Sequence, residues 1–165
     1  MPFEIPAELD TALTPMAWLI GRWEGNGHGN WPGVGDFEFG QQIDFATNRG
    51  PFLHYLSQTW TLDPDGQPAA PLAMETGFWR PAGDGKLEVV MTSPEGWVEV
   101  WVGALQGARI ELTTDLVART QTAALPYTGG HRLYGNVDGE LMWAFDRATA
   151  DVEMQSYMWG RLVRA

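Results

Sequence analysis

From Arg22 to the C-terminus, apolar and polar residues alternate with a period near two, and turns rich in Gly, Pro and Asp interrupt the pattern at short intervals. Successive side chains of a strand point to opposite faces, so this period commits the chain to β-strands with one wet face. Phe37, Phe39, Ile43 and Phe45, for example, alternate with Glu38, Gln42 and Asp44. Comparable runs predict strands near Phe52–Thr61, Met74–Arg80, Leu87–Thr92, Val98–Gly103, Arg109–Thr113, Val117–Ala123, Arg132–Val137, Leu141–Asp146 and Val152–Val163. The breaks carry turn chemistry: Asp63-Pro64-Asp65-Gly66, Pro81-Ala82-Gly83-Asp84-Gly85, Ser93-Pro94-Glu95-Gly96 and Asp138-Gly139.

About ten short strands without intervening helices imply an all-β fold, an antiparallel up-and-down sheet that removes its edges by closing into a barrel. A closed meander of this size encloses a cavity. One early segment reads as a short helix: Thr14 as N-cap, Pro15 in the first turn, Met16 to Ile20, and Gly21 as the stop. Neither a repeat nor a linker divides the chain, so residues 1–165 are expected to form one barrel domain.

Charge narrows the partners. With 21 acidic against 10 basic residues and a net charge of −11, the chain is a poor match for polyanions, which excludes nucleic acid and anionic membrane surfaces. No apolar run approaches the length of a membrane span. The absence of cysteine removes disulfides, thiolate zinc sites, iron–sulfur clusters and cysteine nucleophiles. The opening MPFEIPAELD lacks the basic head and apolar stretch of a secretory signal, so a cytoplasmic location is expected. Nine Trp beside 20 Gly suggest large rings packed where no side chain stands, a pattern that suits a cavity. Aromatic residues at the alternating positions, Trp23, Phe37, Phe39, Tyr55, Trp60, Trp79, Trp101, Trp143 and Tyr157, are expected to line it.

The run from Gly21 to Pro32 has Gly21, Gly25, Gly27 and Gly29 on alternate residues, so Trp23, Gly25, Gly27 and Gly29 share one strand face. That face is nearly bare beyond Trp23, which suits close approach of a flat ligand or of another backbone; a bend at a barrel corner is the plainer reading. A phosphate loop would need a following helix, which the pattern does not supply.

These residues also carry a resemblance. The GxWxGxG run at Gly21, Trp23, Gly25 and Gly27 and the Trp31-Pro32 step are followed by Pro51-Phe52-Leu53-His54-Tyr55 with Thr59-Trp60, and by Glu75-Thr76-Gly77-Phe78-Trp79-Arg80-Pro81. Then come Leu87-Glu88-Val89-Val90 and Gly96-Trp97-Val98-Glu99-Val100. In this order, over Trp18 to Leu162, they resemble the nitrobindins, small haem-binding β-barrels similar in shape to lipocalins and fatty-acid-binding proteins. The resemblance implies haem b as a cofactor, held by a last-strand histidine, with a threonine after the aromatic-Pro step touching it. Here Tyr157 stands at the ligand position and Gly33 at the threonine position, while a further family histidine falls on Ala73 or Met74. Three departures in one pocket weigh against haem ligation. A tyrosine can hold ferric haem only as phenolate.

His28, His54 and His131 are not paired at metal-ligand spacing, and each reads as a packed or solvated strand residue; His28 or His54 is a minor candidate for a haem ligand. No catalytic residue and no metal site is expected. The leading reading is a non-catalytic binding barrel for a small hydrophobic or planar ligand. The alternative implied by the resemblance is a ferric haem protein that binds nitric oxide and isomerises peroxynitrite to nitrate, with Tyr157 on iron. A third is an interaction scaffold whose cavity is filled by its own tryptophans.

Overall fold

In the computed structural model, which describes residues 3–165 and so leaves Met1 and Pro2 of the opening stretch outside, ten strands form a closed antiparallel barrel. They are β1 (Gly21–Trp31), β2 (Gly35–Ala46), β3 (Leu53–Leu62), β4 (Pro68–Gly83), β5 (Lys86–Ser93), β6 (Trp97–Gln106), β7 (Arg109–Arg119), β8 (Tyr127–Val137), β9 (Glu140–Thr149) and β10 (Gln155–Arg164). Each strand pairs with its neighbours in sequence, and β1 closes the ring on β10, with Trp23 opposite Arg164 and Gly29 opposite Met158. The ring is closed, although Pro68–Glu75 of β4 run past the end of β5 and pair with β3 alone.

The period of two sets what lies inside. On β1, Trp23, Gly27, Gly29 and Trp31 are buried while Arg22, Glu24, His28 and Asn30 are exposed. Trp79 of β4 is fully buried, and its ring meets those of Phe45, Tyr55 and Tyr134 at centroid distances of 5.1, 5.5 and 5.0 Å. Each such pair contributes about 0.5–1.5 kcal/mol beyond area burial, so truncating Trp79 to Ala is expected to cost ~3–5 kcal/mol.

The helix differs from the expectation. It is a 3₁₀-helix over Thr11–Leu19, capped by the Asp10 carboxylate, which accepts from the Ala12 N–H at 2.9 Å, rather than a turn capped by Thr14. Its buried Leu13, Met16 and Leu19 recur every three residues, the repeat of a 3₁₀-helix, whose i and i+3 side chains eclipse. The helix is tied to the barrel where Trp23 Nε1 donates to the Leu19 carbonyl at 2.8 Å and Arg164 donates to the carbonyls of Trp18 and Ile20.

Arg109–Thr113 and the first half of Val117–Ala123, predicted as two runs, belong to one strand, β7, which absorbs a register shift opposite Val100 and Trp101 and ends at Arg119, leaving Thr120–Ala123 in the turn before β8. β8 starts earlier, at Tyr127, and β10 later, at Gln155, than the apolar pattern suggests. Among the described residues, no helix is long and apolar enough to cross a membrane.

Candidate cavity site

A bulge sets the centre of the site. Between β9 and β10 the register steps from Ser156 opposite Asp146 to Met158 opposite Phe145, leaving Tyr157 as the extra residue. Without it, Tyr157 would face out, since Met158, Gly160 and Leu162 are the buried residues of β10. With it, both Tyr157 and Met158 line the cavity. The Tyr157 ring rests against Trp31, Phe37 and Phe145.

The cavity lining is more polar than a row of aromatics. Arg132 on β8 forms a two-pronged ion pair with Glu75 on β4, at 2.5 and 2.9 Å. Tyr55 donates to the same carboxylate at 2.8 Å, and Arg132 also donates to the Tyr134 hydroxyl at 3.1 Å. Burial alone would push the Glu75 carboxyl up, but the charge and bonds of Arg132 hold it below the usual carboxylate range. Glu99 on β6 accepts from Tyr127 at 2.5 Å, and its second oxygen has no partner. Burial pushes the Glu99 carboxyl up to about 7, with Arg132 pulling against it and Glu75 adding to the rise. Gln41 accepts from Trp143 Nε1 at 2.8 Å and donates to Ser57 at 3.0 Å.

Arg147 on β9 is different. Only 4% of it is exposed, its guanidinium lies 4.1 Å from the Trp31 ring centre and 3.6 Å from that of Tyr157, and its Nε has no hydrogen-bond partner. No carboxylate stands within ion-pair distance of it among the described residues. The space that these side chains enclose is about 60 Å³, room for a few waters. It meets an outer apolar groove of about 610 Å³ at Thr59, Ala73, Met74 and Glu95.

The residues expected to form a site are only partly brought together. Tyr55, Trp143 and Tyr157 line the cavity, as do Ala73 and Met74. Trp23 is buried in the core beside the 3₁₀-helix, and Phe37, Phe39, Trp79 and Trp101 pack in or against the same core, all of them away from the cavity lining. Trp60, expected to face in, faces out: β3 buries Tyr55, Ser57 and Thr59, so Trp60 falls on the other side and covers Gly40 of β2. Gly33 sits in the exposed turn after β1, with φ +83° and open space where a side chain would stand, so it is not part of the cavity.

Gly25 and Gly27 do point inward, but the chain itself occupies the space beside them. A Cβ on Gly25 would meet the Arg161 carbonyl oxygen, and one on Gly27 would meet the Phe39 ring and the Trp159 carbonyl oxygen. Gly21, with φ +124°, turns the chain from the helix into β1. The three histidines are all on the outer face: His28 stacks on Trp159, His54 bonds Thr76, and His131 bonds Glu111.

The donor set does not match the haem that the resemblance implies. No imidazole enters the cavity. Tyr157 is the candidate anionic donor, and burial raises its phenol above the ordinary value despite the opposing charge of Arg147, which disfavours phenolate. Met158 offers a soft thioether, poorly matched to ferric iron. With the ring face of Tyr157 against a guanidinium and about 60 Å³ of space, the residues present do not fit haem.

Sequence reasoning did not single out Glu75, Glu99, Arg132 or Arg147 as site residues. The signal was the same period of two: Trp97, Glu99 and Trp101 share a face, as do Arg132 and Tyr134, and Trp143, Phe145 and Arg147. A charge two residues from a buried aromatic on a barrel strand points inward with it.

Comparisons with known proteins agree with the fold. The profile of the THAP4-like, heme-binding beta-barrel domain matches residues 12–164. A "Ferric nitrobindin-like protein" of Cutibacterium acnes is 61% identical, covering 100% of both chains. A "Peroxynitrite isomerase" of Nocardioides sp. is 44% identical over 99% of each. The crystal structure of Rv2717c from M. tuberculosis aligns with a TM-score of 0.84 at 31% identity, covering 95% of this chain and 99% of that one.

Proposed function

The chain belongs to the THAP4-like, heme-binding β-barrel family, the nitrobindins, and from that premise we propose that it is a non-catalytic member that binds a small hydrophobic or planar ligand without haem iron. One observation carries this: the cavity buries Arg147 and Glu99, each with an unpartnered atom, while every histidine lies outside. Buried polar groups without partners are costly, so a cavity that keeps them is built to have them met by a guest or by water. The outer groove, lined by Trp60, Pro68, Pro71, Leu72 and Pro94, offers an apolar wall for the body of such a molecule.

The activity named for the Nocardioides relative is the second reading. It is supported by that name and by the family description. It would require Tyr157 to act as a phenolate on iron, against the direction in which burial moves its phenol.

An absorption spectrum of the purified protein titrated with haemin separates the two. No Soret shift in the parent would support the binding barrel. A haem spectrum in the parent that Tyr157→Phe abolishes would overturn it in favour of the haem protein.

A further inference from the structure

Two arginines are buried in one cavity, and they are not alike. Arg132 has its counter-charge built in, since Glu75 meets it with both oxygens. Arg147 is equally buried, at 4% against 3% exposed, and the Nε of neither arginine finds an acceptor, but Arg147 alone has no acid in contact. Two aromatic rings hold its guanidinium in place, and stacking on rings leaves the N–H edge as the part free for a polar partner. Burying a guanidinium without an anion is expensive, and a planar fork of donors is suited to a carboxylate.

The surroundings limit what that anion can be. The other charged groups around the cavity are Glu75, already matched, Glu99, bonded to Tyr127, Arg132, and Glu95 at the junction with the groove. Glu95 is the acid whose field reaches Arg147, but the two stay beyond ion-pair distance. The inner space of about 60 Å³ admits a head group, not a body, and it opens onto the apolar groove of about 610 Å³. A guest that uses both is charged at one end and apolar along the rest.

On the reading of this protein as a binding barrel, we propose that its ligand is an amphipathic organic monoanion, a carboxylate on an apolar body, with Arg147 holding the carboxylate and the groove beside Trp60, Pro71 and Leu72 holding the body. Arg147 then has in the complex the partner that Arg132 has permanently. Glu95, at the entrance, repels the incoming anion and weakens binding.

Isothermal titration with 2-naphthoate and with 2-naphthalenemethanol, which share a body and differ in charge, tests this on the intact protein. The parent is expected to prefer the carboxylate by about tenfold or more, the worth of a charge-assisted pair. Arg147→Met should remove that preference, Arg147→Lys should keep part of it, and Glu95→Gln should tighten the carboxylate. Near-ultraviolet circular dichroism checks that the variants are folded; if Arg147→Met is not, the Arg147→Lys and Glu95→Gln results decide. Equal affinities in the parent, or a preference that survives loss of Arg147, would overturn the assignment while leaving the binding barrel standing. If neither naphthalene binds, the binding reading and this assignment fail together.

Discussion

Tyr157 and Met158 are adjacent in the chain, yet both face the cavity, because Tyr157 is the extra residue of the β9–β10 bulge. The bulge brings the phenol ring within 3.6 Å of the Arg147 guanidinium, a contact that an unbroken strand would not allow. Tyr157 serves here as a platform for a buried cation.

That platform has a measurable worth. Tyr157→Ala is expected to destabilise by about 2–3 kcal/mol, below the ~3–5 of a fully buried aromatic because Tyr157 is half-buried. Tyr157→Phe keeps the ring and should stay within about 1 kcal/mol. Urea unfolding of the two variants beside the parent checks both; equal losses would mean that the hydroxyl, not the ring, supports Arg147.

Glu99 makes stability depend on pH with a defined sign. Unfolded, its carboxyl titrates near 4.5; folded, burial holds it near 7. Between these values the native state keeps a proton that the unfolded state has lost, so stability falls as pH rises through this window, by about 3 kcal/mol at ~1.4 kcal/mol per unit. Glu99→Gln keeps an acceptor for Tyr127 and should flatten that slope. Glu75 acts oppositely and lower: its depressed carboxyl contributes stability above the ordinary carboxylate range that is lost as pH falls through it. Thermal melts of parent and Glu99→Gln from mildly acidic to neutral pH measure the difference; parallel curves would contradict it.

The Arg132–Glu75 pair predicts a non-additive cycle. Arg132→Met leaves the Glu75 carboxylate buried without its cation and should cost about 3–5 kcal/mol. Adding Glu75→Gln removes the stranded charge while still accepting from Tyr55, so the double variant should recover much of the loss. A double variant as unstable as the sum of the two single ones would show that the groups do not interact.

The barrel is legible in the sequence because one physical rule, the period of two, governs every strand, and the turns carry their own chemistry. Trp60 shows where that rule needs help: its face depends on the register of β3, and only the neighbours Tyr55, Ser57 and Thr59 reveal that it points out. The start of the helix is ambiguous for a similar reason, since Thr14-Pro15 resembles an α-helical start while Leu13, Met16 and Leu19 follow a three-residue repeat. The cavity is the least legible part. Its charged members, 57 residues apart in the case of Arg132 and Glu75, meet only once the strands are in register. The bulge that turns Tyr157 inward has no sequence mark.

Gly27 tests whether the glycine run serves the guest or the chain. In the barrel it faces inward opposite Phe39 of β2, whose ring lies where a side chain on Gly27 would stand, and the Trp159 carbonyl oxygen crowds the same space from the other side. The ring has flexibility to give, but the carbonyl belongs to the backbone of β10 and cannot move without opening the ladder that closes the barrel. Valine suits a strand in propensity, by a few tenths to ~1 kcal/mol, yet overpacking of this kind costs ~1–3 kcal/mol or more. The steric term wins, so Gly27→Val is expected to lower stability clearly in urea unfolding. Gly27 is absent from the cavity lining, so the folded fraction should bind 2-naphthoate with the parent's affinity. Unchanged stability with lost binding would reverse the assignment and place the guest against β1.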